Sequence, residues 1–223
     1  MGGGINMSFI VTIIKLYIER WEFFLEITLE HIYLTLISVL IITVIGLSMG
    51  IYMTRNKPFA AVVLQIANFL YTIPSIALFG FLVIVSGIGD RSAIIALVIY
   101  GLLPVIRNTY VGINEVDNQV IESAIGMGST DKQLLYKVQL PLALPVIIAG
   151  FRTMVIMTIA LCGVASFIGA GGLGVAIWRG ISTNFPEMTM AGSLLVATLA
   201  IIADNIMEAI EKYMKIRMSG NEN

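Results

Sequence analysis

The chain has 223 residues, 58% of them hydrophobic and only 12% charged, with a mean hydropathy of +0.94; an average soluble domain carries about 25% charged residues. A water-soluble core of this size has no room for so much apolar surface, so lipid is the solvent for most of the chain. A formal net charge of −1 gives no basis for a nucleic-acid partner, and the lone Cys162 excludes an internal disulfide.

In chain order, residues 1–30 read as an N-terminal interfacial segment. The opening MGGGIN carries no weight, and MGGGINMSFIVTIIKLYIER lacks a small-residue cleavage site and runs straight into acidic residues, so cleavage as a signal peptide is not expected. Residues 11–30, VTIIKLYIERWEFFLEITLE, mix apolar and charged positions at helical spacing. Four glutamates and two basic residues are too costly at bilayer depth, so the segment is predicted to be an amphipathic helix lying in the outer interface. His31 stands where the next apolar segment begins, and an interfacial side chain is the expectation there rather than a metal or proton site.

Five stretches then meet the requirement of about 20 mostly apolar residues for a helical crossing: 32–54, 60–85, 92–108, 143–168 and 188–209. The fold class is therefore all-α integral membrane. The second stretch contains NFLYTIPS, residues 68–75. Pro74 has no amide hydrogen, and the carbonyl it frees must be covered by protein or a watery cavity, so the break is expected to face the protein interior. Gln65, Asn68 and Tyr71 share a helical face with Ser75. Polar residues so placed hold bundles together more often than they touch substrate; Asn68, Tyr71, Pro74 and Ser75 are nevertheless the candidates for a translocation pathway. The third stretch is short, and its Pro104 predicts a kink or an early end.

Basic residues set the orientation. Arg55, Lys57, Arg107, Lys132, Lys137, Lys212, Lys215 and Arg217 fall on one side, whereas Lys15, Arg20, Arg91 and Arg179 share the other with six acidic residues, from Glu19 to Glu187. The N-terminus is predicted outside and the C-terminus cytoplasmic, with 31–210 as the transmembrane domain and 211–223 as a cytoplasmic tail.

Between the third and fourth stretches lies a polar insert, 114–141, that includes ESAIGMGSTDKQLLYKVQLP. Ile121, Ala124, Ile125 and Gly128, then Leu134, Leu135 and Val138, leave apolar stripes that need a partner surface; two short helices bent at Gly128 and Ser129 are predicted. The insert resembles the cytoplasmic loop of membrane subunits of bacterial ATP-binding cassette (ABC) importers, whose pattern is E-A-A-x3-G-x9-I-x-L-P. Here it reads Glu122-Ser123-Ala124, three residues, Gly128, nine residues, then Val138-Gln139-Leu140-Pro141, with Ser123 and Val138 as mild departures. YTIPSIALFG (71–80), LLPVIRNTYVGI (102–113), LPLALPVIIAGFRT (140–153) and FIGAGGLG (167–174) resemble the osmoprotectant branch, and likeness extends over about residues 31–210.

The resemblance implies a permease subunit with a coupling helix that docks in a groove of a separate cytoplasmic ABC ATPase. Glu122, Ser123, Ala124, Gly126, Gly128, Leu140 and Pro141 are the coupling residues it implies. It further implies a second permease copy or a sister permease, an extracytoplasmic substrate-binding protein, a bacterial inner membrane, and a small quaternary amine such as glycine betaine, carnitine or choline as solute. ATP and Mg would be used by the partner ATPase; no cofactor is expected on this chain. An amino-acid or methionine ABC importer is the nearest rival. An ion-driven carrier is the rival from another class, and it would transport without an ATPase.

Gly169-Ala170-Gly171-Gly172-Leu173-Gly174 formally fits a dinucleotide fingerprint, but it follows a span rather than a strand, so the nucleotide reading is rejected in favour of a tight backbone turn at the external mouth. No phosphate-binding G-x-x-x-x-G-K-[ST] occurs, nor any catalytic triad or H-E-x-x-H pattern, and the chain is not expected to be an enzyme. Arg152 and Asp204 lie at similar depth in the fourth and fifth stretches, and an ion pair that registers the two helices is predicted.

Overall fold

The computed structural model describes residues 7–219, and every regular element among them is helical. The N-terminal residues 1–6 and the last four residues of the expected tail lie outside the described residues. Helix α1 (Met7–Glu19) meets α2 (Trp21–Arg55) at Arg20. The expected interfacial helix over 11–30 is therefore divided. Its second half joins the first span in one 35-residue helix, because nothing between Trp21 and His31 breaks a helix and Glu22, Glu26 and Glu30 recur every fourth residue along one stripe.

The predicted second span is two helices, α3 (Lys57–Thr72) and α4 (Ser75–Ser86), bent by 102° at Ile73 and Pro74. Pro74 holds φ −57° and ψ 134°, outside the helical region, and the residue before a proline is itself pushed toward extended geometry. Pro74 itself is exposed in this chain.

Pro104 does not end its helix. α5 runs Asp90–Asn114 with the proline inside, and the Pro104 carbonyl accepts from Asn108 Nδ2 at 2.8 Å. Small residues allow close packing around this stretch. A Cβ on Gly50 of α2 would lie 2.6 Å from Thr109 Cβ, and one on Gly150 would lie 2.6 Å from Asn108 Cβ. After α6 (Asn118–Gly126) the chain forms one helical run: α7 (Asp131–Gln133), a π-helical turn (Leu134–Gln139) and α8 (Leu140–Ala165). A 3-10 turn (Ser166–Ile168), α9 (Gly174–Ser182) and α10 (Pro186–Ser219) complete the order. Among the described residues four helices are long and apolar enough to cross a membrane, or five spans result if the bent pair counts as one.

By their contacts the residues sort into two compact units. The first comprises residues up to Val39 with Ile73–Val98 and Ile156–Ile202. Its core joins Ile13 and Leu16 of α1, Phe24 and Ile27 of α2, Leu173 and Ala176 around α9, and Met188 and Ala191 of α10. Tyr17 fixes α1 further by donating its hydroxyl to the Ala191 carbonyl at 2.7 Å. The second unit comprises Leu40–Thr72, Ile99–Val155 and the chain from Ala203. There Ile113, Leu135, Ala143 and Ile147 form one cluster, and Met53, Ala60 and Ile106 another.

His31 does not reach the surface of the chain. It is fully buried in the first unit, with Nε2 3.1 Å from the Ile159 carbonyl and Nδ1 accepting from the Leu173 N–H at 3.3 Å. Those two bonds identify the neutral ring with its proton on Nε2. Gly169 and Gly172, at φ 77° and 91°, turn the backbone around it. A Cβ on Gly172 would sit 3.1 Å from His31 Nδ1, so the turn requires glycine for space as well as for conformation.

Candidate functional site

The insert builds a short exposed helix on a fixed base. Asp117 caps α6, its carboxylate accepting from the Gln119 N–H at 2.8 Å, which satisfies one of the unpaired amides at a helix start. Ala124 points inward and is buried, while Glu122, Ser123 and Gly126 are exposed. Three apolar side chains share that exposure: Val120, Ile125 and Met127, the last 82% exposed. Apolar surface is thus left outward on this short helix.

The helix ends in a Schellman turn. Ser129 N–H donates to the Ala124 carbonyl at 3.1 Å and Gly128 N–H to the Ile125 carbonyl at 2.9 Å, with Gly128 at φ 84°. Nothing lies within 4 Å of where a Gly128 Cβ would be, so backbone conformation alone demands the glycine. Thr130 then starts the next helix through a reciprocal capping box: Gln133 N–H donates to Thr130 Oγ1 at 3.3 Å and Thr130 N–H to Gln133 Oε1 at 2.9 Å.

The bend thus falls where it was expected, but the second short helix is not separate. From Asp131 the helix continues into the fourth span without a stop at Pro141. A π turn absorbs the mismatch: Leu140 N–H donates to the Leu135 carbonyl, five residues back. Leu134 and Leu135 are buried at the base, and Arg55 Nη2 donates to the Asp131 carbonyl at 3.2 Å, tying the end of α2 to the start of this run. Leu140 and Pro141 are half-buried and line an apolar groove with Tyr136, Leu47 and Phe151.

In the same unit Arg152 meets Asp204 in a bidentate pair, Nε to Oδ1 at 2.5 Å and Nη2 to Oδ2 at 3.0 Å. The guanidinium also reaches Glu208 at 3.3 Å and Glu211 at 3.6 Å, and Lys212 binds Glu208 at 2.6 Å. Sequence reasoning named only the first partner. The spacing of Asp204, Glu208 and Glu211, four and then three residues, places all three on one helical face and was the available signal. Of the pathway candidates, Asn68 and Tyr71 lie exposed on α3, and Ser75 opens the next helix, so the three do not share a single helix face. Tyr71 stacks edge-on against Tyr100, with centroids 5.9 Å apart.

The sequence matches the family described as binding-protein-dependent transport system inner membrane component over residues 42–216. An ergothioneine transport permease/ergothioneine binding protein of Helicobacter pylori (strain G27) is 41% identical over 175 residues, 78% of this chain; the chain spans only 32% of that protein's length. A carnitine transport permease protein of Listeria monocytogenes serotype 1/2a (strain 10403S) is 35% identical over 207 residues, 92% of this chain and 93% of its own. Among solved structures, a methionine ABC transporter in an inward-facing conformation superposes with a TM-score of 0.74 at 23% identity, covering 96% of this chain and 99% of that one.

Proposed function

The chain belongs to the binding-protein-dependent transport system inner membrane components, the membrane permease subunits of ABC importers, which are not themselves enzymes, and from that premise we propose that it admits a small trimethylammonium solute to a bacterial cell. Carnitine and ergothioneine, the solutes named for the two relatives, both carry that group, as do the glycine betaine and choline that the sequence resemblance implied. A binding protein outside would deliver the solute, a second permease copy or sister would complete the conduit, and an ATPase on the cytoplasmic side would consume ATP with Mg.

The observation that carries this reading is the outward face of α6 mounted on a helix that runs uninterrupted into the bilayer. Glu122, Ile125 and Met127 offer a charge and an apolar surface to an ATPase groove. The capped turn from Gly126 to Thr130 is short and hydrogen-bonded throughout, so a push on α6 reaches α8 as a rigid displacement rather than being lost in slack chain. Closure of two ATP-bound partners would drive the paired α6 helices together and open the spans outward; hydrolysis would release them. The same orientation puts the N-terminus outside and the C-terminus in the cytoplasm. It leaves the exposed polar face of α3, with Asn68 and Tyr71, and the uncovered break at Pro74 to line the path beside the second permease copy.

Copurification tests this. The wild-type chain is expected to bring down a separate P-loop ATPase, and Glu122→Arg or Met127→Asp to abolish that association while the chain still inserts and folds. Solute uptake by the purified chain without any ATPase would overturn the proposal in favour of an ion-driven carrier.

A further inference from the structure

A cavity of about 620 Å³ opens in the first unit, beside the glycine turn. Glu30 and Tyr33 reach it from α2, Asp90 from the start of α5, Phe167 from the 3-10 turn and Trp178 from α9; no lysine or arginine lines it. The two carboxylates come from different helices but converge on consecutive amides. Gly171 N–H donates to Asp90 Oδ1 at 3.4 Å and Gly172 N–H to Glu30 Oε2 at 3.0 Å. A Cβ on Gly171 would collide with the Glu30 carboxylate, so this convergence depends on a glycine backbone. Among the described residues neither acid has an ion-pair partner. Arg179, next to Trp178 in sequence, is instead held over the Phe23 ring at 4.8 Å.

Three aromatic side chains line the cavity beside Leu34, Ser166 and Val175. Phe167 and Trp178 form an angled corner, their ring centroids 4.6 Å apart at 54°, and Tyr33 is 59% exposed. Two neighbouring carboxylates repel an anion and favour a cation. The aromatic walls then say which kind. A calcium or magnesium ion needs six or more oxygen ligands and gains nothing from ring faces, whereas a bulky, weakly hydrated onium group is attracted to the negative faces of Trp, Tyr and Phe.

We propose that this cavity is an entrance subsite for a quaternary ammonium group, with Glu30 and Asp90 supplying the charge and Trp178, Phe167 and Tyr33 the ring faces. It deepens the importer reading and rests on it: the permease itself would receive the onium head of the solute on the side where the binding protein delivers it. The site does not depend on the far end of the solute, which fits a protein whose relatives are named for solutes that share one head group and differ elsewhere.

The test uses the full permease–ATPase complex in lipid nanodiscs without the binding protein. In a Trp21→Phe background Trp178 is the sole tryptophan of the chain. Choline and tetramethylammonium are expected to change its emission saturably, and the uncharged choline isostere 3,3-dimethylbutan-1-ol to leave it unchanged. Glu30→Gln and Asp90→Asn, which keep an oxygen for the glycine amides, are expected to weaken choline binding about tenfold each. The absence of a saturable response to either cation, an equal response to the neutral isostere, or unchanged affinity in both carboxamide variants would overturn the subsite. If the carboxamide variants fail to assemble, Tyr33→Leu decides: weaker choline binding at an unchanged melting temperature supports the site, and unchanged affinity sinks it. ATP-driven uptake with the binding protein present separates the two proposals. A complex that transports normally yet shows no cation response loses the subsite alone, whereas uptake that needs no ATPase removes the importer reading itself.

Discussion

Gly128 and Gly172 occupy nearly the same region of backbone space, φ 84° and 91°, yet one faces open solvent and the other presses on a buried imidazole. The turn at Gly128 is closed entirely by its own backbone and by the Thr130 capping box, so it is stiff without being attached on its outer side. The turn at Gly172 is attached on every side: to Glu30 and Asp90 through its amides, and to His31 through Leu173. The lesson is that one local device, a left-handed glycine, makes a presented knob in one place and an anchored hinge point in another. What differs is whether a tertiary neighbour fills the space in front of it.

Substitutions of graded severity test that contrast. Gly172→Ala combines the left-handed penalty with contact against His31 and is expected to cost about 3 kcal/mol, read as a lowered melting temperature in nanodiscs or as loss of folded yield. His31→Leu leaves the Leu173 amide buried without its partner, and about 2 kcal/mol is the expected loss; full stability in this variant would show the turn to be held by packing alone. Gly128→Ala has only the conformational penalty to meet, about 1 kcal/mol, with Gly128→Asn restoring part of it because asparagine tolerates the left-handed region. If Gly128→Ala proves as damaging to folding as Gly172→Ala, the contrast fails. Arg152 and Asp204 side chains are 29% and 36% exposed, so a double-mutant cycle of Arg152→Met with Asp204→Asn should return a coupling smaller than the loss seen in Gly128→Ala. Gly126→Ala is the smallest expected effect. The position is helical and meets nothing within 4 Å, so stability should be unchanged or rise by about 0.5 kcal/mol, and a lost ATPase association in that variant would mark the helix surface itself as the contact.

Much of the architecture was legible beforehand because it depends on local physics. Long apolar runs declare their spans, and the run Glu122-Ser123-Ala124 to Pro141 declared the insert through its spacing. The errors were errors of continuation. Trp21 to His31 was separated from the first span because of its glutamates, although no residue there interrupts a helix. Pro104 and Pro141 both lie inside helical runs, and beside Pro141 a π turn absorbs the mismatch. Pro74 takes an extended backbone geometry and does break the helix.

From sequence alone came the solvent, the number of crossings to within one, the polar insert and its turn chemistry, and the family, because each follows from composition or from residues close together along the chain. Only the tertiary structure decided that His31 is a buried brace, that Arg152 serves three acids, and that Glu30, Asp90 and Trp178 share one cavity. Those facts join positions from about 50 to about 150 residues apart, and no periodicity within one helix records which face of another it will meet.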